Sequence, residues 1–398
     1  MIGLDHCRRQ APEPKKGSSR ACPNANLIND QEIDSLPVEI ESLAQFDAYV
    51  ARHPGSLAGC RIQAVDLRER GWELRNADVA DTALLGCELT ESVAADLRQR
   101  GALVFPPAPH LPFDPYRASL YTPEELYEGI EAKPYEQTPD SLAYQWYKTP
   151  LDPEDVLGVV LRGLHDDAVS DALDEWAGQR RIVGVMGGHA LERGTEGYAQ
   201  AATLGRSLAR AGFTVATGGG PGAMEAANLG AYLAPHPDAA LAEALSMLGA
   251  VPDFKSDITA WVRAAFAVRR AHPPRPAGES LAVPTWFYGH EPPNPFASAV
   301  AKYFSNALRE DVLLAHANAA IVFLPGAAGT VQEIFQAATP AFYGTQNARR
   351  MILIGVSYWT KTFPAWPLLR TLAEGRPMAV GLHLVDTVAE AGILLSRP

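Results

Sequence analysis

Glycine-rich turns that directly follow buried strands constrain the fold of this chain more than any other feature of its sequence. Three such strands are RIVGVMGG (181–188), GFTVATGGGPGA (212–223) and AAIVFLPGAAGT (319–330). Each is continuously apolar and is followed by a helical pattern, which is typical of parallel sheets that are covered on both faces. The sequence therefore predicts an α/β fold with a doubly wound parallel sheet. Ligands bind such sheets at the carboxyl ends of the strands, where all three turns are expected.

Composition along the chain predicts its organisation into regions. Residues 1–30 have almost no periodic apolar pattern and are expected to form a flexible tail. Residues 31–150 predict a smaller N-terminal α/β accessory region without a catalytic signature. Residues 151–398 predict a Rossmann-like nucleotide-binding catalytic domain, in which 296–317 read as one long helix. A proline-containing insertion at about 234–279 lies between its core strands. A lid and an oligomer contact are the two alternatives for its role.

The charge and the cysteine content narrow the classes of function. The chain has 398 residues, with 34 Lys and Arg against 46 Asp and Glu, a formal net charge of −12. An acidic chain is a poor binder of nucleic acid polymers, but backbone N–H groups still allow a small anionic ligand. No run of apolar residues is long enough to predict a membrane-spanning helix, so no membrane partner is expected. Four cysteines without a C-x-x-C pair predict reduced thiols and a cytoplasmic location.

The second glycine turn formally fits the dinucleotide pattern G-x-G-x-x-A, from 218 to 223. A nicotinamide site also needs an acidic residue at the end of the next strand, and the corresponding segment LAPHPDAALAEAL is not a strand. We therefore expect phosphate binding by the turn and the helix after it, with a tight structural turn as the alternative. The expected phosphate or nucleotide contacts here are Gly218, Gly219, Gly220, Gly222, Met224 and Glu225.

The other two turns provide further phosphate or nucleotide contacts. The third turn precedes a helix whose first residues include a hydroxyl donor, and no Walker A lysine follows it. Glu333 is expected near the start of that helix, where a plain helix-start acid is the alternative reading. In the first turn, His189 is a candidate for contact with the nucleotide. An ordinary loop histidine without such a role is the equally good alternative. The expected contacts are Gly187, Gly188, His189, Gly326, Ala327, Ala328, Gly329 and Thr330.

Together, these segments resemble the Lonely Guy family, once labelled lysine decarboxylase-like, over about 180–370. The family signature P-G-G-x-G-T-x-x-E appears here as P-G-A-A-G-T-V-Q-E (325–333). The segment TGGGPGAMEAANLGA (217–231) is similar to the other glycine-rich segment of the family. GGHAL (187–191) and EPPNP (291–295) resemble the long bacterial branch, the pyrimidine/purine nucleotide 5′-monophosphate nucleosidases.

The resemblance implies an enzyme that hydrolyses the N-glycosidic bond of nucleoside 5′-monophosphates to free base and ribose 5-phosphate, without a cofactor. It assigns catalytic roles to Glu333 and to Arg309, for which a solvated helix charge is the alternative. It places Glu291 and Asn294 on a loop that borders the base. It also implies a homodimer or a larger homo-oligomer. No metal is expected, because the histidines lack metal-ligand spacing.

The chemistry expected of the two charged residues follows from the charges that develop in glycosidic cleavage. Glu333 would hold the ribose hydroxyls, stabilise an oxocarbenium-like state or align the attacking water. Arg309 has too high a pKa for a general acid and would hydrogen-bond the leaving base or the phosphate. Ala327 replaces the second glycine of the signature, which would strain the loop if the position required a positive φ.

Two other classes of function compete with hydrolysis. A non-catalytic nucleotide-binding protein of the same fold, acting as a sensor or carrier, is compatible with Ala327 and with the extra N-terminal region. A nicotinamide oxidoreductase is disfavoured by the missing acidic strand end. The old decarboxylase label has no support, because no lysine lies in a glycine-rich turn where pyridoxal phosphate would attach.

Overall fold

The computed structural model describes residues 38–149, 156–288, 291–344 and 349–396. The predicted flexible tail, residues 1–30, lies outside these ranges. Contacts divide the chain into two units, Met1–Val38 and Glu39–Pro398. Everything below concerns the second unit, apart from the first residue of strand β1. No helix of the described residues combines the length and the apolar character that crossing a bilayer requires.

The elements follow one another along the chain in two groups of strands, each interleaved with helices. The strands are β1 (Val38–Ile40), β2 (Cys60–Gln63), β3 (Ala83–Leu85), β4 (Leu103–Phe105), β5 (Ile182–Met186), β6 (Thr214–Thr217), β7 (Ser280–Ala282), β8 (Ala299–Val300), β9 (Ala320–Phe323), β10 (Arg350–Ile354) and β11 (Leu382–Val385). The helices are α1 (Leu43–Arg52), α2 (Gly71–Asn76), α3 (Glu91–Gln99), α4 (Pro123–Leu126), α5 (Pro139–Lys148), α6 (Val156–Ala177), α7 (Glu196–Arg210), α8 (Ala223–Tyr232), α9 (Asp238–Gly249), α10 (Ile258–Ala271), α11 (Asn306–His316), α12 (Ala328–Tyr343), α13 (Ala365–Ala373) and α14 (Val388–Ser396).

The large sheet has the strand order β11-β10-β9-β5-β6-β7-β8, and its neighbouring strands pair in parallel. Val183 of β5 lies opposite Val215 of β6 on one side and Ala320 of β9 on the other. The order therefore reverses between β5 and β9, which opens a crevice at their carboxyl ends. This arrangement confirms the predicted doubly wound, Rossmann-like sheet.

Helices cover the large sheet on both faces, as the continuous apolar strands predict. Ile182 and Met186 of β5 belong to one core, together with buried residues of α6, α11, α12 and α13. Val183 and Val185 point to the opposite face and pack against α7, α8 and α14. Successive side chains of a strand alternate between faces, so one strand serves both cores.

The smaller sheet has the order β1-β2-β3-β4 and contains a short repeat that was not among the sequence predictions. Arg61 pairs with Ala83 and, outside the strands, Asp66 bridges to Glu88, so the register is constant at 22 residues. The segment 57–67 reads L-x-x-C-x-I-x-x-V-x-L, and 79–89 reads V-x-x-T-x-L-x-x-C-x-L. This spacing is typical of leucine-rich repeats, in which one strand and one short helix form each unit.

The strand face of this small sheet packs on α6. Leu85 and Leu161 are buried together with Tyr116, which lies between β4 and α4. Arg61 forms ion pairs with Asp167 and Asp171 of α6. The face that leucine-rich repeats expose for partners is thus occupied by a helix of the same chain.

The structure corrects the predicted helix over 296–317 and shows what the insertion consists of. The long helix predicted over 296–317 is wrong, because Ala299–Val300 pairs with β7 as β8 and the helix begins only at Asn306. Ser305 caps that helix by accepting a hydrogen bond from the Leu308 N–H at 3.3 Å. The insertion at 234–279 consists largely of α9 and α10, between α8 and β7.

Helices α7 and α8 approach each other so closely that their contact depends on two glycines. A Cβ atom on Gly205 would overlap the carbonyl oxygen of Ala227, and one on Gly230 would overlap that of Ala202. Backbones can meet at this distance only where a side chain is absent. The contact sets the position of α8 and hence of the glycine turn at its start.

We expect Gly205→Ala to lower the free energy of unfolding by about 1–3 kcal/mol, because the added methyl group overpacks the contact. Gly392→Ala on α14 is the matched control, since a Cβ there meets no atom within 4 Å. It should be neutral or stabilise by up to about 1 kcal/mol through helix propensity. Urea denaturation of both variants measures the difference, and equal stability would contradict the proposed contact.

Candidate functional site

Three loops meet at the carboxyl ends of β5, β6 and β9. We call them loop 1 (187–195), loop 2 (218–222) and loop 3 (324–327), and each leads towards a helix. The Gly188 N–H donates to the Pro325 carbonyl at 3.1 Å and links loops 1 and 3. The Ala223 N–H donates to the Gly188 carbonyl, also at 3.1 Å. The structure therefore brings the three predicted glycine turns to one place, at the reversal of strand order.

Loop 2 is held in a conformation that only glycine adopts easily. Gly219 has φ +77°, and a Cβ there would lie 2.7 Å from Cδ of Pro284. Its N–H donates to the Thr217 hydroxyl at 3.0 Å. The turn thus follows from glycine chemistry and from the strand end that precedes it.

The segment expected beside the base contacts loops 1 and 2 in different ways. Asn294 is fully buried and its amide donates to Asn228 Oδ1 at 3.0 Å and to the Gly220 carbonyl at 3.4 Å. Glu291 lies 3.2 Å from Nδ1 of His189 in loop 1. Asn294 therefore braces loop 2 through buried hydrogen bonds. Glu291 and the half-exposed His189 connect the segment 291–295 to loop 1.

Loop 3 leads into α12 through a negative φ at the substituted signature position. Ala327 has φ −94°, so this position does not require the left-handed conformation that would favour glycine. The Tyr358 hydroxyl donates to the Gly326 carbonyl at 2.9 Å and holds the loop. No side chain of the described residues caps α12, so N–H groups of its first turn are available to an anion.

Arg309 is buried on α11 and braces two strand ends. Its Nε donates to the Val283 carbonyl at 2.7 Å and its Nη2 to the Gly218 carbonyl at 3.1 Å. Its Nη1 donates to Glu310 at 2.6 Å. The guanidinium is therefore not a solvated helix charge, because it links loop 2 to the segment after β7.

Glu333 lies in the second turn of α12 and is 7% exposed. Burial raises the pKa of its carboxyl group from the ordinary 4.5 to about 8, with Arg309 opposing the shift and Glu310 adding to it. A carboxyl group with this pKa is mostly protonated at neutral pH. Burial therefore favours the acid form of Glu333 at this place in the fold.

Of the two nucleotide contacts predicted at the start of α8, Met224 packs against loop 2 and Glu225 forms an ion pair. Met224 is 8% exposed and its thioether lies against Gly218 and Gly220. Glu225 is fully buried and forms a bidentate pair with Arg193 of loop 1. Its carboxylate is already taken up by that pair, which no sequence motif indicated.

Arg193 also attaches the insertion to the site. Its side-chain Nη1 donates to the Trp261 carbonyl at 3.0 Å. Its backbone N–H donates to the Pro252 carbonyl, also at 3.0 Å. A cavity of about 170 Å³ lies between loop 1, loop 2 and the insertion. Its lining includes His189, Pro221, Phe254, Lys255 and Trp261. The insertion therefore forms one wall of a recess beside two glycine loops.

Comparisons with known proteins address the same part of the chain. Residues 180–235 match the model of the SLOG cluster4 family, where SLOG denotes a Lonely Guy-like superfamily. The match spans β5, loop 1, α7, β6, loop 2 and α8. It supports the resemblance to the Lonely Guy family that the glycine-rich segments indicate. A search of curated proteins finds no match.

Among solved structures, the chain is similar to two proteins described by their molybdenum cofactor. The molybdenum cofactor carrier protein of Chlamydomonas reinhardtii is 18% identical to this chain, with a TM-score of 0.34. The match covers 55% of this chain and 96% of the carrier protein. The binding protein of Rippkaea orientalis is 16% identical, with a TM-score of 0.33 and coverages of 55% and 96%. The protein TM1055 is 20% identical, with a TM-score of 0.34 and coverages of 55% and 98%.

The raised pKa of Glu333 predicts how stability depends on pH. Between about pH 4.5 and 8 the unfolded chain releases a proton that the folded protein retains, so the free energy of unfolding falls as pH rises. Each pKa unit corresponds to about 1.4 kcal/mol. Glu333→Gln removes this effect, so we expect the variant to be more stable than the wild type at pH 8 by a few kcal/mol. At pH 4.5 the two should be similar.

Denaturant unfolding of both proteins across this pH range measures the effect. The comparison at pH 4.5 is the internal control, because both the carboxyl group and the amide are then neutral. Parallel pH profiles for the two proteins would show that burial does not perturb Glu333.

Proposed function

We propose that the protein hydrolyses the N-glycosidic bond of nucleoside 5′-monophosphates, with free base and ribose 5-phosphate as products. The observation that carries this proposal is the buried carboxyl group of Glu333, whose pKa burial raises to about 8, in the second turn below an uncapped helix start. A phosphate site and a proton donor are then separated by about one helical turn, or about 5.4 Å. The resemblance to the Lonely Guy family supports the same activity.

The 5′-phosphate would bind to backbone N–H groups at the start of α12. Gly326, Gly329 and the Thr330 hydroxyl lie at this end, and a Cβ on Gly329 would meet no atom within 4 Å. The helix dipole and the free N–H groups favour an anion there without a lysine. Such a site is compatible with the net charge of −12.

The reaction needs one proton for the leaving base and one water molecule for the sugar. We infer that the Glu333 carboxyl group donates its proton to a nitrogen of the base as the bond from C1′ breaks and its electron pair moves to the base. The carboxylate that remains stabilises the positive charge on the sugar. Water then adds to C1′ and returns a proton to Glu333, which restores the acid.

Arg309 contributes in this scheme by orientation and charge. Its three described hydrogen bonds hold the Gly218 and Val283 carbonyls and Glu310, so its guanidinium is preorganised. Preorganised charge costs little rearrangement when Glu333 becomes a carboxylate. We further propose that the enzyme acts in the cytoplasm as a homodimer or larger homo-oligomer, without metal or cofactor.

Incubation with AMP, GMP, CMP, UMP and IMP, followed by an assay for ribose 5-phosphate, tests the activity. We expect release from at least one nucleotide and a loss of at least about 100-fold in kcat for Glu333→Ala, because the proton donor is removed. Gln332→Ala is the matched control, since Gln332 is exposed on the same helix turn and should leave the rate unchanged.

The binding measurements decide between this proposal and its competitors. Tight binding of AMP without release of ribose 5-phosphate would contradict hydrolysis and favour the nucleotide-binding sensor or carrier. Binding of NADH without binding of any monophosphate would contradict both.

A further inference from the structure

A second cavity, of about 390 Å³, lies at the edge of the large sheet opposite to loops 1, 2 and 3. Its lining residues come from the segments that lead into β5, β6 and β9 and from the start of β10. Parallel strands begin at one edge of a sheet and end at the other, so this cavity is separate from the candidate functional site. No sequence motif and no step of the proposed mechanism uses it. Arg180, Arg181 and Arg350 line it, together with Phe213 and Asn318.

Positive charge is concentrated at this cavity in a chain that is acidic as a whole. Three of its nine lining residues are arginines, and none of these nine is acidic. Across the chain, only 34 of 398 residues are Lys or Arg, and the formal net charge is −12. A confined region with one sign of charge attracts ligands of the opposite sign. The composition of the lining therefore favours an anionic ligand.

Two of the arginines are held in place by the ends of helices. Arg180 donates to the Trp176 carbonyl in the last turn of α6, and its Nη2 lies 3.2 Å from the exposed carboxylate of Glu279. Arg350 Nη1 donates to the Leu394 carbonyl in the last turn of α14 at 2.9 Å. Carbonyl groups at the end of a helix are common partners of arginine. Helix capping thus explains the presence of these two residues, and it also fixes two guanidinium groups at the cavity.

Arg181 is not used to cap a helix. Its side chain is exposed, and its guanidinium carbon lies 4.6 Å from the centre of the Phe213 ring. The guanidinium makes no hydrogen bond or ion pair with the residues that the structure describes. A guanidinium group carries five N–H donors in a fixed plane. Packing on Phe213 thus holds Arg181 beside the cavity, while its donors stay available to a ligand.

We propose that this cavity is a second anion-binding site, which takes a chain of two or more phosphate groups. Guanidinium groups match the oxygen atoms of phosphate in a bidentate geometry, and charged hydrogen bonds of this kind are strong. The cavity has the volume of about 13 water molecules, at about 30 Å³ each, which exceeds the space that one phosphate group needs. Inorganic triphosphate and the triphosphate of a nucleotide share this chemistry. Because the cavity lies at the other edge of the sheet, its ligand does not depend on the proposed function.

Titration calorimetry of the full chain with inorganic triphosphate, at low ionic strength, tests the proposal. We expect binding to the wild type and a loss of at least about tenfold in affinity in Arg181→Gln, because an amide cannot replace a charged fork of donors. Arg370→Gln is the matched control. Arg370 is also exposed, and its guanidinium carbon also lies over an aromatic ring, 5.8 Å from the centre of Trp366 on α13. This variant changes the net charge equally and should bind triphosphate as the wild type does.

Three further ligands identify the chemistry and the place of binding. Orthophosphate should bind at least about tenfold more weakly than triphosphate, because it reaches fewer guanidinium groups. ATP distinguishes the sources of the phosphate chain. Tighter binding of ATP than of triphosphate, with the same loss in Arg181→Gln, indicates a nucleotide, whereas equal or weaker binding of ATP indicates a free oligophosphate. AMP should not displace triphosphate, since the proposed nucleotide site lies at the other edge of the sheet.

The outcomes also separate this site from the proposed function. Absence of triphosphate binding overturns the inference, as do equal affinities of the wild type and Arg181→Gln or equal affinities for orthophosphate and triphosphate. Displacement of triphosphate by AMP overturns it as well, because the anion then lies at the nucleotide site. Binding that depends on Arg181, in a protein that hydrolyses no nucleotide, supports the inference and contradicts the proposed function. Hydrolysis without triphosphate binding does the reverse.

Discussion

The reversal of strand order between β5 and β9 is the constraint on which the site depends. Parallel strands end at the same edge of a sheet, and the helices after neighbouring strands leave on opposite faces where the order reverses. Loops 1 and 3 therefore meet there without a helix between them, and the Gly188 N–H contacts the Pro325 carbonyl directly. The close contact of α7 and α8 adds loop 2 to the same place.

Buried charge gives this site its chemical character. Arg309 donates to backbone carbonyls at two strand ends and to Glu310, so one buried guanidinium both braces the loops and pairs with a buried carboxyl group. Keeping a carboxyl group protonated in this surrounding lowers the stability of the folded protein at neutral pH. A cost of this kind is typical of groups that are tuned for proton transfer. Arg193 and Glu225 form a second buried pair, but there each charge has a full partner.

The local sequence pattern was sufficient to predict the large sheet, but it did not predict β8 or the 22-residue repeat. Continuous apolar strands followed by glycines predicted the parallel order, because few other folds bury a strand on both faces. The helix predicted over 296–317 was wrong because pairing of β8 with β7 overrode a helical pattern. The 22-residue repeat at 57–89 was visible as L-x-x-C-x-I-x-x-V-x-L and was missed, since only two units are present and each is short.

The sequence by itself determined the fold class, the three glycine turns and the position of Glu333 after the third turn, because these depend on periodicity and on spacing along the chain. Only the tertiary structure decided that Ala327 has a negative φ, that Asn294 braces loop 2 and that Glu225 is paired with Arg193. It also buries Glu333, and this burial raises the pKa of its carboxyl group. A pKa depends on burial and on charges brought from other elements, and no pattern within one segment contains that information.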